Sequence, residues 1–170
     1  MLKTAAVIFI AAGFAFGGKC LASFQIKKAT VISDILLMLS VTETQLRYAC
    51  LPVADLLAVL CENGKLESLG FIGKCREKVN SGEAFPQAWK ESIEAEAELC
   101  RLLSDYCSYL IRLGADIGST DLEGQLSCCE YYKQIFEKEL AVREENNKKY
   151  AKLLPTLGLM LGISAAIIII

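Results

Sequence analysis

Three sets of residues in this chain have the types that chemistry needs. They are the carboxylates Glu91, Glu94 and Glu98 at helical spacing, the eight cysteines at 20, 50, 61, 75, 100, 107, 128 and 129, and the glycines Gly114, Gly118 and Gly124. Such sets serve, respectively, general acid–base catalysis, thiol or metal chemistry, and phosphate cradling. None of the three reads as complete. No histidine is present, which removes the commonest general base and the commonest metal ligand together. No two cysteines stand at Cys-x-x-Cys spacing. The neighbours Cys128 and Cys129 point about 100° apart on a helix, so they read as core packing plus a spare thiol. No strand precedes the glycines, so they punctuate helices. The carboxylates form an acidic row with Arg101 a turn beyond, a solvated face or a partner surface. Neither enzymatic activity nor a bound cofactor or metal is expected.

The elements that position these residues are helical. Val31, Ile35, Met38, Leu39, Leu46 and Ala49 recur at helical spacing, with Thr42 and Thr44 weakening the stripe. Pro52 starts a short second helix with Leu56, Leu57 and Leu60 on one face, closed by Asn63-Gly64. A third stretch runs from Leu66 through Leu69, Ile72 and Val79 to the stop Asn80-Ser81-Gly82. Phe85, Ala88 and Trp89 then share one face at a helix start, where they plug the core. Leu99, Leu102, Leu103, Tyr106, Tyr109, Leu110 and Leu113 continue as one amphipathic helix ending near Gly114 to Gly118. In the last helix Thr120 and Glu123 have the spacing of a capping box, and Leu122, Leu126, Cys129, Phe136 and Leu140 form a seam. The fold class expected is all-α, an antiparallel bundle of about six helices.

The two ends differ from this middle. Residues 153–170 carry no charge and residues 4–26 carry only Lys19, so each is expected to cross a bilayer as a helix. The domains expected are a first span over 1–26, a bundle over 27–152 and a second span over 153–170. Lys19 before Cys20 spoils a lipoprotein cleavage site, and the apolar run resumes at Leu21, which favours an uncleaved span. All 20 acidic residues but 16 of the 18 basic ones lie between Lys27 and Lys152, a formal charge of 16 − 20 = −4. That balance argues against nucleic acid. Lys27, Lys28, Lys148, Lys149 and Lys152 border the middle and only Lys3 lies outside it, so the middle is expected in the cytoplasm. Gly158, Gly162 and Ala166 make a small-residue ridge suited to close helix contact in a homo-oligomer. In a reducing compartment the cysteines stay as thiols. A different class of protein, an exported, disulfide-linked surface module anchored at its C-terminus, would require them to be paired.

Taken together, Leu51-Pro52 after a long first helix, Phe85-x-x-Ala88-Trp89, and Leu113-Gly114-x-x-Ile117-Gly118-x-x-Asp121-x-x-x-Gln125 before a long last helix resemble the stage III sporulation protein AB family of endospore formers. In physical terms the glycines let the chain reverse, Asp121 favours the positive end of a helix, and Gln125 can hydrogen-bond back to the turn. The resemblance covers the whole chain. It implies a soluble part similar to the cytoplasmic domain of the F platform protein of type II secretion and type IV pilus systems. It further implies a scaffold in the outer forespore membrane that docks a hexameric ATPase, stage III sporulation protein AA, to the channel between mother cell and forespore. A platform subunit of another secretion or pilus system shares the fold but is normally longer.

Overall fold

The computed structural model describes residues 2–49, 51–117 and 119–169, with side chains described over 23–149 except at 50 and 118. Among the described residues there are seven α-helices, two short 3-10 turns and no strand. The helices are α1 (Leu2–Ala49), α2 (Val53–Glu62), α3 (Phe71–Asn80), α4 (Phe85–Glu94), α5 (Ala97–Leu103), α6 (Cys107–Asp116) and α7 (Leu122–Ile169). The first and last are single uninterrupted helices of 48 residues each, and α7 passes through Pro155 without a break. The long first and last helices expected from the sequence thus run on without a break from the charge-poor ends into the middle of the chain.

The chain divides into two compact units, one built from residues 1–29 and 141–170 and the other from 30–140. In the first, Lys28 lies over the ring of Phe24 at 4.9 Å and Lys149 pairs with Glu145 at 2.8 Å. Among the residues with described side chains, no helix is long and apolar enough to cross a membrane. Residues 1–22 of the first expected span and all of the second, 153–170, with Lys19, Cys20 and the Gly158, Gly162 and Ala166 ridge, lie outside that set.

The second unit is a bundle with one apolar core. Its largest fully buried side chains include Ile35, Met38 and Leu39 of α1, Leu57 and Leu60 of α2, Phe71 and Cys75 of α3, Ile93 of α4, Leu110 and Leu113 of α6, and Phe136 of α7. Helix α3 packs on both α2 and α4, and α4 packs on α6. Thr42 is buried and continues the α1 stripe, while Ala49 is exposed. The three-to-four spacing simply runs on through a small β-branched residue whose methyl packs like valine.

Helix ends follow from local chemistry. Asn63 accepts from the Lys65 amide at 3.2 Å and turns the chain after α2. Gly82, at φ 95°, donates to Val79, and the Glu83 amide donates to Lys78, the paired bonds of a Schellman stop. Two expectations fail. The stretch from Leu66 is a 3-10 turn followed by a helix that begins only at Phe71. The expected helix from Leu99 to Leu113 is broken at Ser104, which takes φ 55°. Tertiary packing of Leu99, Leu102 and Leu103 on one side and Leu110 and Leu113 on the other outweighs local propensity there.

Candidate functional site

Pro86 stands in the first turn of α4, where its missing N–H costs nothing, and this fixes the start of the helix. Trp89 follows one turn later, with 2 % of its surface exposed. Its indole N–H donates to the Leu110 carbonyl of α6 at 2.8 Å. Phe71 meets it edge-on at 5.0 Å and 89°, and Phe85 lies at 5.5 Å. Gly114 completes the contact. A β-carbon there would stand 2.1 Å from the Trp89 Cδ1 and 2.4 Å from Cγ, atoms of a rigid ring already tied by a hydrogen bond. The glycine is therefore not a helix terminator, since α6 continues to Asp116. It is present because the indole occupies the space of a side chain. Gly114 of α6 is thus brought against Trp89 of α4, the helix that also carries Phe85 and the buried Ala88. Phe71, which the apolar pattern of α3 does not single out, completes the cluster.

The other residues of the resemblance form a second group at the α6–α7 turn. Asp121 Oδ1 accepts from the Gly124 amide at 3.0 Å and so caps α7. Gln125 Nε2 donates to the Thr120 carbonyl at 2.9 Å. The capping box expected from Thr120 and Glu123 is not formed. The cap lies one residue later, at Asp121, because Thr120 turns its hydroxyl to the Asp121 carbonyl at 3.4 Å. Asp116 closes the turn by accepting from Tyr132 at 2.6 Å, and burial, with that bond second, pushes the Tyr132 phenol above its ordinary range. Gly118 lies outside the described residues. Pro52 stands apart from both groups, exposed at the start of α2.

The acidic row is not one face. Helix α4 ends at Glu94, so Glu98 belongs to α5 beyond a break at Ala95 and Glu96. Glu91 pairs with Lys78 of α3 and accepts from Gln87 at 2.6 Å, and the Lys78 bond holds its carboxyl below the usual range. Glu94 approaches Lys90 of its own helix at 4.0 Å. A carboxylate already bonded to a lysine and an amide is a poor general base.

The α7 seam also shifts. Its buried positions are Cys129, Tyr132, Phe136 and Glu139, whereas Leu122 is 41 % exposed and Leu126 and Leu140 are half-buried. Leu126 instead lines an open groove of about 490 Å³ with Glu43, Arg47, Glu123, Glu130 and Tyr131. Beside it Lys133 of α7 pairs with Glu43 of α1 at 2.9 Å.

Three buried thiols are held protonated. Burial pushes Cys75 and Cys107 up to about 12 and Cys129 up to about 11, far from the thiolate that nucleophilic or metal chemistry uses. Among the described residues no group of three potential ligands is placed to hold a metal ion.

What the geometry offers is a packed junction and charged helical surfaces, with no assembled catalytic group among the described side chains. A family model described as stage III sporulation protein AB matches residues 3–170. No curated protein sequence and no solved structure matches the chain. With all but the first two residues matched, and with the Trp89–Gly114 contact and the Asp121 cap built from the residues that carried the resemblance, the chain belongs to the stage III sporulation protein AB family.

Proposed function

We propose that the chain is a membrane-anchored, non-enzymatic platform subunit of the channel between mother cell and forespore. Its bundle faces the mother-cell cytoplasm and docks a secretion-type ATPase to the membrane complex. The observation that carries this reading is the pair of uninterrupted 48-residue helices α1 and α7, whose outer ends hold the two nearly charge-free stretches. At a rise of about 1.5 Å per residue the final 18 residues are about 27 Å long, close to the thickness of a hydrocarbon core. The lysines at 27, 28, 148, 149 and 152 supply the cytoplasmic bias. Family membership supports the sporulation setting.

Two experiments test it. Protease added to wall-stripped cells should spare the bundle, and protease added to inverted vesicles should digest it. Digestion in intact cells would instead favour the exported module. For docking, charge reversal at Glu94 and Glu98 leaves the Glu91–Lys78 pair in place. Loss of co-purification with the ATPase would assign these carboxylates to the contact, and unchanged co-purification would remove them from it.

A further inference from the structure

Cys100 lies midway along α5 and Cys107 opens α6, and the break between the two helices folds the residues together. Their sulfurs are 2.7 Å apart, inside the contact distance of two non-bonded sulfurs, about 3.6 Å, and a short step from a covalent bond of about 2.05 Å. Cys100 is half-buried and reachable, whereas Cys107 is 9 % exposed. Separation in the unbroken helix that the apolar spacing also permits would be very different. Seven residues at about 1.5 Å each would put the two α-carbons about 10 Å apart, beyond the roughly 7 Å limit for a disulfide. Only the bend at Ser104 makes the two thiols neighbours.

From this juxtaposition we infer that Cys100 and Cys107 are a redox-modifiable pair, converted to an intramolecular disulfide by exchange with a low-molecular-weight disulfide. The Cys100 thiolate attacks one sulfur of the small disulfide, forming a mixed disulfide and releasing one small thiolate. Cys107 then gives its proton to that released thiolate, attacks the Cys100 sulfur, forms the Cys100–Cys107 bond and releases the second small thiolate. Two electrons pass to the small disulfide, and the two thiol protons end on the released thiols. Cys107 serves as the second attacker because burial keeps it from solvent and contact keeps it against Cys100. The product locks the α5–α6 bend, since the straight helix cannot contain the bond.

The test uses the full chain in detergent, purified under reductant and then exposed to oxidised glutathione. Free thiols are blocked before trypsin treatment. Cleavage after Lys90, Arg101 and Arg112 puts Cys100 in peptide 91–101 and Cys107 in peptide 102–112, each with no other cysteine. The expected result is that these two peptides are joined as the first disulfide formed, roughly tenfold or more faster than in the same chain in urea. Recovery of 91–101 still carrying glutathione beside a blocked 102–112 would overturn the inference. Another cysteine pair joined first, or equal rates with and without urea, would overturn it too.

Discussion

Helix α6 has two ends, and they are held in opposite ways. At its C-terminal end the turn to α7 is a lattice of local bonds: Asp121 to the Gly124 amide, Gln125 to the Thr120 carbonyl, Ser119 to the Asp116 carbonyl and Tyr132 to the Asp116 carboxylate. At its N-terminal end the bend from α5 has Ser104 in the left-handed region, with Ser108 reaching the Asp105 carbonyl at 2.8 Å. One junction is satisfied by its own residues, and the other is imposed by the core on both sides of it. A junction of the first kind is stable in place; one of the second kind depends on everything it is packed against.

The strongest way to break the comparison is to remove what both junctions share, the seat of α6 on Trp89. Gly114→Val puts a branched side chain into the indole and is expected to cost about 3 kcal/mol or more, read as a fall in the urea midpoint by circular dichroism of the detergent-solubilised chain. Combining it with Trp89→Leu should recover part of the loss, which a purely helical-propensity effect at position 114 would not show. Next in size, Asp121→Ala removes the α7 cap and should cost about 1 kcal/mol in the same measurement. Ser104→Gly should move the other way, stabilising by roughly 0.5–1 kcal/mol as the left-handed strain is relieved. A loss at Ser104 would mean that the bend is held by the serine itself, and the contrast between the two junctions would fail.

The smallest expected effect lies at the Glu43–Lys133 pair joining α1 to α7. Lys133, then Arg47, lowers the Glu43 carboxyl from its ordinary value near 4.5. A depressed carboxyl contributes stability that is present above the unfolded value and lost as pH falls through the folded one. Glu43→Gln should therefore be less stable than the parent by under about 1 kcal/mol at neutral pH. In thermal melts the difference should shrink as pH falls below the ordinary 4.5 and vanish once the depressed Glu43 carboxyl is protonated. A gap that persisted into acid would mean packing, not charge, sets the contribution of Glu43.

Much of this was legible because it is written in short-range chemistry. Pro52, Asn63-Gly64 and Ser81-Gly82 mark ends of helices that the backbone honours, and the continuity of α1 and α7 follows from uninterrupted helix formers. The burial of Ala88 and Trp89 follows from their shared face. What stayed hidden depends on contacts between distant residues. Gly114 looks like a stop signal until the indole is seen to fill its side-chain space. Ser104 carries no glycine or proline to announce a break. Glu91, Glu94 and Glu98 have perfect spacing for one helix that ends before the last of them. Nothing local tells Cys100 that Cys107 will lie against it. Phe71 escaped because the helix whose buried face it shares with Cys75 begins there and not at Leu66.

Trp89 is the only tryptophan in the chain, and it sits dry, ring-packed and hydrogen-bonded where α3, α4 and α6 meet. Its fluorescence is therefore a single-site signal. Emission should be blue-shifted in the folded protein and resistant to acrylamide quenching, and it should move to the red only when that meeting point opens to water. Events at the outer ends of α1 and α7 would leave the spectrum untouched, so the molecule carries an internal optical probe that reports on its bundle alone.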